Sequence, residues 1–511
     1  MPRLRLNASA IPLTAARASR AFLYGLAVLG AAGWVPAWAQ ADTAILVEAG
    51  DSRLREDVQW LVDRGVIDVS TSSWPMPLAA LETAVVERRS TNLSRADEAA
   101  LDGVTKFISR QKRTTIGVKA QINTDRMPPL GFAGQSLGTA TGSAYIATSA
   151  ERLAVKLQAN GVVDPITKYQ SSFNMQGSYA AANIFGQILY VGQLSHWWGP
   201  GQDGSLAWSN AATAVPGIGL RRGTDTPFET PWLSWIGSWG YEAFIGQQQH
   251  SRAIPDTRVA NMRLYVRPLD GLELGASRMI QWGGKGRANG LGALWDALTS
   301  NSNVDTPGQD FSNELAGFDV RYTTRLLWGN PLTFYVQGIG EDEAGTLPSR
   351  FLALGGVEFK HMVGNTRMQW HVEAADTNAS RVFGLGDGRS GYAYSHGLYR
   401  DGYYQDGLPI GHAIGGSGYM YSTGVSVIPD DPRYHKRYSA RVLYAEVNPT
   451  SQTINQAFPE KDRFYGGELS VSWIMAPITF RAGAMLLRSV KGTANDSFGV
   501  FFSTDIPLYI F

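Results

Sequence analysis

From Arg113 to the C terminus the chain holds one hydrophobic period, two residues, and no other feature limits its fold as tightly. Ile116, Val118, Ala120 and Ile122 alternate with Lys119, Gln121 and Asn123, and Ala260, Met262, Leu264 and Val266 with Asn261, Arg263, Tyr265 and Arg267. Phe318, Val320 and Tyr322 stand against Asp319, Arg321 and Thr323; Met368, Trp370 and Val372 against Arg367, Gln369, His371 and Glu373; Leu469, Val471 and Trp473 against Glu468, Ser470 and Ser472. Each segment has an apolar face and a polar or charged one, the pattern of an antiparallel strand between two media.

Two architectures use such strands. A soluble sandwich or barrel turns the apolar face into its core, whereas a lipid-embedded barrel turns it outward. The period is the same in both, so other features must separate them. Residues 1–39 read as a cleaved secretory signal: Arg17 and Arg20 flank an apolar run from Ala21 to Gly33, and Ala37-Trp38-Ala39 ends in small-x-small, with cleavage after Ala39 or Ala41. That run is shorter than the ~20 residues a membrane-spanning helix needs, and Pro36 interrupts its end. Tyrosine and tryptophan fall at strand ends, as at Trp328, Tyr444 and Tyr509, where amphipathic rings favour a membrane interface. The expected fold is therefore a transmembrane antiparallel β-barrel of a Gram-negative outer membrane, over residues 113–511.

Counting the period-2 segments gives about eighteen strands, with the weakest pattern at the sixth, near Gly217 to Arg222, and the fourteenth, near Gly418 to Val427. Connection lengths alternate in phase with that count. Leu269-Asp270-Gly271, Trp328 to Pro331, His361 to Asn365 and Ala476-Pro477 follow even strands and are turn-like. Met127 to Gly138, His196 to Pro216, Gly283 to Asn313, Asp376 to Gly415 and Asn448 to Asp462 follow odd strands and are long. Short periplasmic turns and long extracellular loops are the outer-membrane pattern. The last strand, Ser497 to Phe511, ends in an aromatic residue, as chains taken up by the barrel-insertion machinery usually do, with Asp505 and Pro507 expected to break its alternation.

Ahead of the barrel, residues 42–112 have a helical period: Val58, Leu61, Val62 and Val66 form one stripe, Leu78, Leu81 and Val85 a second, and Leu101, Val104 and Ile108 a third. Pro77 suits a first helical turn and Ser94 with Asp97 resembles a capping box. Three short helices are expected, forming a small periplasmic bundle against the barrel end. On the inferred inner face of the barrel, Arg263, Arg267, Arg321, Arg325, Arg367, Glu373, Arg441, Glu468 and Arg481 mix charges at close range, which favours ion-pair networks and a plugged lumen over an open channel.

Composition excludes several function classes. Lys+Arg 45 against Asp+Glu 44 leaves a net charge of +1, no footprint for nucleic acid. Without cysteine there is no thiol nucleophile and no Cys-ligated zinc. None of the 7 histidines sits in H-E-x-x-H. Gly134-Gln135-Ser136-Leu137-Gly138 matches the bare nucleophile-elbow pattern, but that motif works at a strand-to-helix turn and here falls in a surface loop. The Asp-Gly pairs at Asp387, Asp401 and Asp406 read as turns before calcium ligands. No catalytic residue, metal or cofactor is expected.

Three stretches resemble elements of the Wzi family of outer-membrane capsule-assembly proteins: His196-Trp197-Trp198-Gly199-Pro200-Gly201, Pro216-Gly217-Ile218-Gly219-Leu220-Arg221-Arg222, and Tyr399-Arg400-Asp401-Gly402-Tyr403 through Ile410-Gly411-His412. The third is the most specific. The resemblance covers everything after the signal and implies a periplasmic helical bundle followed by an eighteen-stranded barrel. It also implies a lectin-like role, without turnover, in attaching capsular polysaccharide or exopolysaccharide to the cell surface. The implied partners are that polymer, outer-membrane lipid and, through the periplasmic helices, the polysaccharide export machinery.

The loops carry chemistry suited to sugars, whose C–H faces stack on aromatic rings and whose hydroxyls take carboxylates, amides or guanidinium groups. Between Tyr392 and Tyr421, the candidate polysaccharide-binding residues are Tyr399, Arg400, Asp401, Tyr403, Tyr404 and His412; the same residues would serve a loop packed into the lumen. Trp197 and Trp198 on a rigid Gly-Pro-Gly turn are candidates too, with an interfacial girdle or lumen contact as the alternative. Arg221 and Arg222 would bind the carboxylates of an acidic polymer, or else pair with a lumen acid. The rival reading of the barrel is a general or sugar-selective porin, and a barrel hydrolase is a more distant one.

Overall fold

A computed structural model describes residues 43–125, 131–134, 137–298, 312–344, 347–380, 391–431, 433, 435–449, 458–490 and 497–510. The expected signal at 1–39, the Gln135-Ser136 centre of the elbow-like motif, Asp387-Gly388 and the terminal Phe511 fall outside them.

Eighteen antiparallel strands close into one barrel. In chain order they are β1 (Thr115–Asn123), β2 (Gly138–Ala150), β3 (Leu153–Pro165), β4 (Tyr179–Ile184), β5 (Gln187–Gly192) and β6 (Gly217–Arg222). There follow β7 (Ser238–Gln247), β8 (Arg258–Leu269), β9 (Leu272–Trp282), β10 (Ser312–Leu327), β11 (Asn330–Ala344) and β12 (Leu347–Val363). The last six are β13 (Thr366–Ser380), β14 (Gly418–Pro429), β15 (Arg437–Val447), β16 (Asp462–Met475), β17 (Ile478–Ser489) and β18 (Ser497–Tyr509). β18 pairs with β1 (Phe501 opposite Asn123, Tyr509 opposite Thr115), so no edge is left open. The two weakest sequence signals, at the sixth and fourteenth strands, both stand as strands.

The wall is inside-out relative to a soluble protein. Leu264, Phe318, Val372 and Leu469 are exposed, whereas Arg263, Asp319, Arg321, Glu373 and Glu468 are buried. Apolar side chains thus face the surroundings and charges face the lumen, as a lipid-embedded barrel requires. Trp328 is 86% exposed at a strand end. Asp505, expected to break the alternation of β18, keeps it: it points inward and accepts from the Tyr145 hydroxyl at 2.9 Å. Part of the chain's glycine serves this wall, because inward tyrosines lie flat across glycines of the next strand. A Cβ on Gly219 would meet the Tyr190 ring at 2.2 Å, and one on Gly240 the Tyr265 hydroxyl at 2.2 Å.

Long and short connections alternate as expected, with two departures. β11 and β12, on the long-loop side, are separated by only two residues, 345–346. Residues 223–237, after β6, form a longer connection on the short-turn side that carries the exposed Trp232 and Trp235.

Three helices precede the barrel: α1 (Ser52–Asp63), α2 (Leu78–Val86) and α3 (Arg95–Gln111). Ser94 caps α3 with Asp97 in a reciprocal box, and Trp60 of α1 donates its indole N–H to Asp97 at 2.9 Å. Beyond resting on the barrel end, α1 sends its acids into the lumen. Asp63 meets Arg321 at 2.6 Å and also binds Lys360; Glu56 meets Arg437 at 2.6 Å; Asp57 meets Arg367 at 2.5 Å. A fourth helix, α4 (Leu291–Leu298), lies in the connection after β9.

Candidate functional site

The lumen is filled from both ends. From the short-turn end, residues 70–76 thread inward: the Ser70 and Ser72 hydroxyls bind Glu273, and the Arg263 guanidinium donates to Ser72 at 2.9 Å. From the long-loop end, residues 193–216 fold down and pair with them, Trp197 opposite Trp74 and Trp198 opposite Ser73. Glycine suits the turn at Gly199, whose φ is +148° and whose Cβ would strike Gln337 at 2.6 Å. Gln337 accepts from the Leu206 N–H at 2.7 Å and donates to the Trp198 carbonyl at 2.8 Å, riveting the loop to the wall.

A second layer, residues 391–417, covers the first. Glu341 of β11 accepts from the Tyr394 N–H at 2.8 Å; the Tyr394 hydroxyl donates to the Leu206 carbonyl at 2.8 Å and accepts from the His412 N–H at 3.1 Å. Neighbouring loops are tied to this layer. Arg252 donates to the carbonyls of Gly402 (2.9 Å) and Tyr404 (3.2 Å), Asp401 accepts from the Ala253 N–H, and the Thr167 hydroxyl donates to the Asp406 carbonyl. Burial lowers Arg252 to about 10 against the pull of Asp401, and burial raises Asp406 to about 6. The Asp401-Gly402 and Asp406-Gly407 pairs form turns, with φ of +64° and +80° at the glycines.

The expected binding residues separate into four groups. Trp197, Trp198, Tyr399, Tyr403, Tyr404 and His412 are buried in this double plug. Asn261 donates to the Tyr403 hydroxyl at 3.0 Å, the Tyr404 hydroxyl accepts from the Gly416 N–H at 3.0 Å, and the Tyr399 hydroxyl donates to the Gly283 carbonyl at 3.2 Å. These rings cannot stack on a sugar while they hold those positions. Arg221 is buried in the wall with Glu242 at 3.3 Å, which also accepts from the Tyr190 hydroxyl at 2.5 Å and faces His196 at 3.2 Å. Arg222 lies at the far end of β6, on the short-turn side, donating to the carbonyls of Thr226 and Trp239 at 2.7 Å each. Arg400 and Asp401 alone remain at the long-loop face, Arg400 exposed and Asp401 partly so.

Around those two the structure brings residues that the sequence reading passed over. Lys168 sits over the exposed Tyr169 ring at 5.1 Å, and Gly407 lies against that ring. His250, exposed, faces Asp256 at 3.1 Å. Their signal was weak because each belongs to a short loop without aromatic repetition. Arg400, Asp401, Lys168, Tyr169 and His250 thus lie on loops tied to one layer, with one exposed ring among them, above a lumen filled by buried side chains. A cavity of about 100 Å³ between α1 and the wall, lined by Arg55, Arg441 and Glu468, lies beneath the plug.

Three findings from known proteins agree with this architecture. The model of the family described as capsule assembly protein Wzi matches residues 133–465. A protein of Klebsiella pneumoniae, described as an uncharacterized 55.8 kDa protein in the cps region, is 35% identical over 475 residues, covering 92% of this chain and 90% of its own. A solved structure from Escherichia coli superposes with a TM-score of 0.81 at 33% identity, covering 91% of this chain and 100% of its own. It is described as Wzi, an outer-membrane protein involved in group 1 capsule assembly and a carbohydrate-binding β-barrel.

Proposed function

Because the chain belongs to the capsule assembly protein Wzi family, we propose that it is an outer-membrane lectin that holds capsular polysaccharide or exopolysaccharide at the cell surface, without turning it over. The long loops face outward in this reading, and α1, α2 and α3 lie in the periplasm, where they are available to the export machinery. The observation that carries it is the double plug. A porin needs a lumen, and here that space holds Trp74, Trp197 and Tyr394, fully buried. What remains for function is the outer face around Arg400.

The expected site residues then divide by task. Arg400 and Asp401, joined by Lys168, Tyr169 and His250, meet the polymer, the charged groups on hydroxyls or carboxylates and the ring on a sugar face. Trp197, Trp198, Tyr399, Tyr403, Tyr404 and His412 hold that face in shape, Arg221 braces the wall, and Arg222 serves the opposite rim. Retention of purified capsular polymer by the detergent-solubilised protein tests the reading. Arg400→Ala combined with Tyr169→Ala should cut retention several-fold while the barrel stays folded; unchanged retention would remove this face from the proposal.

A further inference from the structure

A long barrel loop usually stands above the lumen or folds into it, and α4 does neither. Its Leu294 and Ala297 are buried against Ala260, Ile280 and Trp282. In the β8–β9 ladder Ala260 opposes Ile280 and Arg258 opposes Trp282, on the face that also carries the exposed Leu264; Asn261, Arg263 and Gln281 occupy the lumen face between them. α4 therefore packs on the outside of the wall. Its C-terminal carbonyls at Ala297 and Leu298 each accept from Arg278 at 3.0 Å, and Arg278 pairs with Glu314 at 2.5 Å on the same outer surface. The helix thus covers an ion pair that would otherwise face hydrocarbon.

Its other face is apolar too. Leu291 is 82% exposed and Trp295 66%. A short helix apolar on two sides needs a second apolar neighbour, and the lipid-facing wall continues directly from it through Leu264 and Phe318. Beyond the rim end of β9, the preceding residues carry Lys285, exposed, and Arg287, partly exposed, while Asp296 is the single acid between Gly283 and Leu298. Apolar rings and chains below, cations above: that order matches acyl chains below a phosphorylated headgroup.

We propose that α4 and the residues before it bind a phosphorylated lipid of the outer leaflet, its acyl chains against Leu291 and Trp295 and its phosphate on Lys285 and Arg287. The leaflet assignment rests on the reading that the long loops face outward. Since the chain has no cysteine, Leu291→Cys supplies a single attachment point for a fluorophore. The full chain would be reconstituted into phosphatidylcholine vesicles with brominated acyl chains, with and without lipid A. The expected result is a blue-shifted probe quenched by the brominated chains, and less strongly with lipid A, whose unbrominated chains displace them from the helix; adding Lys285→Glu and Arg287→Glu should remove this protection by lipid A. A probe quenched by aqueous iodide and untouched by bromine overturns the proposal, and so does quenching indifferent both to lipid A and to the two charge reversals. Labelling of whole cells with an impermeant maleimide at Ser251→Cys but not at Asn365→Cys supports the orientation. The reverse pattern overturns the leaflet assignment and the outward reading together, while the probe at 291 still reports whether α4 touches lipid.

Discussion

Trp197 and Trp74 are antiparallel backbone partners, although one belongs to a loop entering from the long-loop end and the other to a segment entering from the opposite end. Phe132 stands edge-on to both rings, at 5.4 Å from Trp197 and 5.2 Å from Trp74. The Arg55 guanidinium lies 4.4 Å from the Phe132 ring centre and 5.2 Å from that of Trp197. The lumen is closed where two independent segments meet, so each depends on the other.

That dependence predicts a conductance phenotype. Trp74→Ala removes a fully buried ring at a cost of about 3–5 kcal/mol and leaves Trp197 without its partner. In planar bilayers the unaltered protein should show almost no steady current, and the variant frequent openings. Large, steady channels in the unaltered protein would contradict the closed lumen and revive the porin reading.

The second prediction concerns Asp63 at the end of α1. Burial pushes its carboxyl up, but Arg321 and Lys360 outweigh burial and hold it well below the usual carboxylate range. A depressed folded value means that the stabilisation is complete above the unfolded value of about 3.9 and is lost as pH falls through the folded one. Docking of α1 should therefore be insensitive to pH between about 7 and 5. Asp63→Asn, which leaves two buried cations short of a partner, should cost about 3–5 kcal/mol. Thermal unfolding in detergent reads both effects, and an Asp63→Asn midpoint equal to the parent's would show that the network contributes nothing.

How far the sequence exposed this architecture depends on which level is asked. The wall was legible down to single strands, because period 2 is a direct record of two faces in two media; even Gly217–Arg222, with few apolar residues, stands as a strand, although the connection that follows it departs from the phase. Loop placement was not legible. Trp197 and Tyr403 have the composition of a sugar-stacking surface and of a lumen plug alike, and only the long-range partners Trp74 and Asn261, 123 and 142 residues away, decide the conformation. Arg222 looked like a companion of Arg221, yet the strand carries Arg221 against Glu242 and delivers Arg222 to the far rim. Asp505 looked like a fault in β18 because its partner Tyr145 lies 360 residues away.

A third prediction follows from His412. Burial lowers its imidazole to about 4, with Asp203 opposing, and Gly204 packs so closely that a Cβ there would strike the ring. The unfolded chain takes up its proton near pH 6.5, so stability is intact above about 6.5 and declines as pH falls toward about 4, by on the order of 3 kcal/mol in all. Protease cleavage within residues 391–417 should rise over that window, and His412→Leu should flatten the profile. An identical acid response in both proteins would place the sensitive group elsewhere.

The final prediction separates contact from support within one loop. Arg400 is exposed and Tyr403 buried, three residues apart, so their roles are opposite on physical grounds. Arg400→Ala should weaken polymer retention at every temperature at which the barrel is folded, with no change in the unfolding midpoint, because exposed side chains contribute little to stability. Tyr403→Phe removes only the hydroxyl that accepts from Asn261, leaving a buried amide without its partner at a cost of about 1–3 kcal/mol. Its retention should match the parent at low temperature and fall earlier on heating, in step with protease sensitivity of the loop. If Tyr403→Phe instead lost retention while the loop remained protected, the hydroxyl would be touching polymer, and the buried arrangement of this loop would not be the one that binds it.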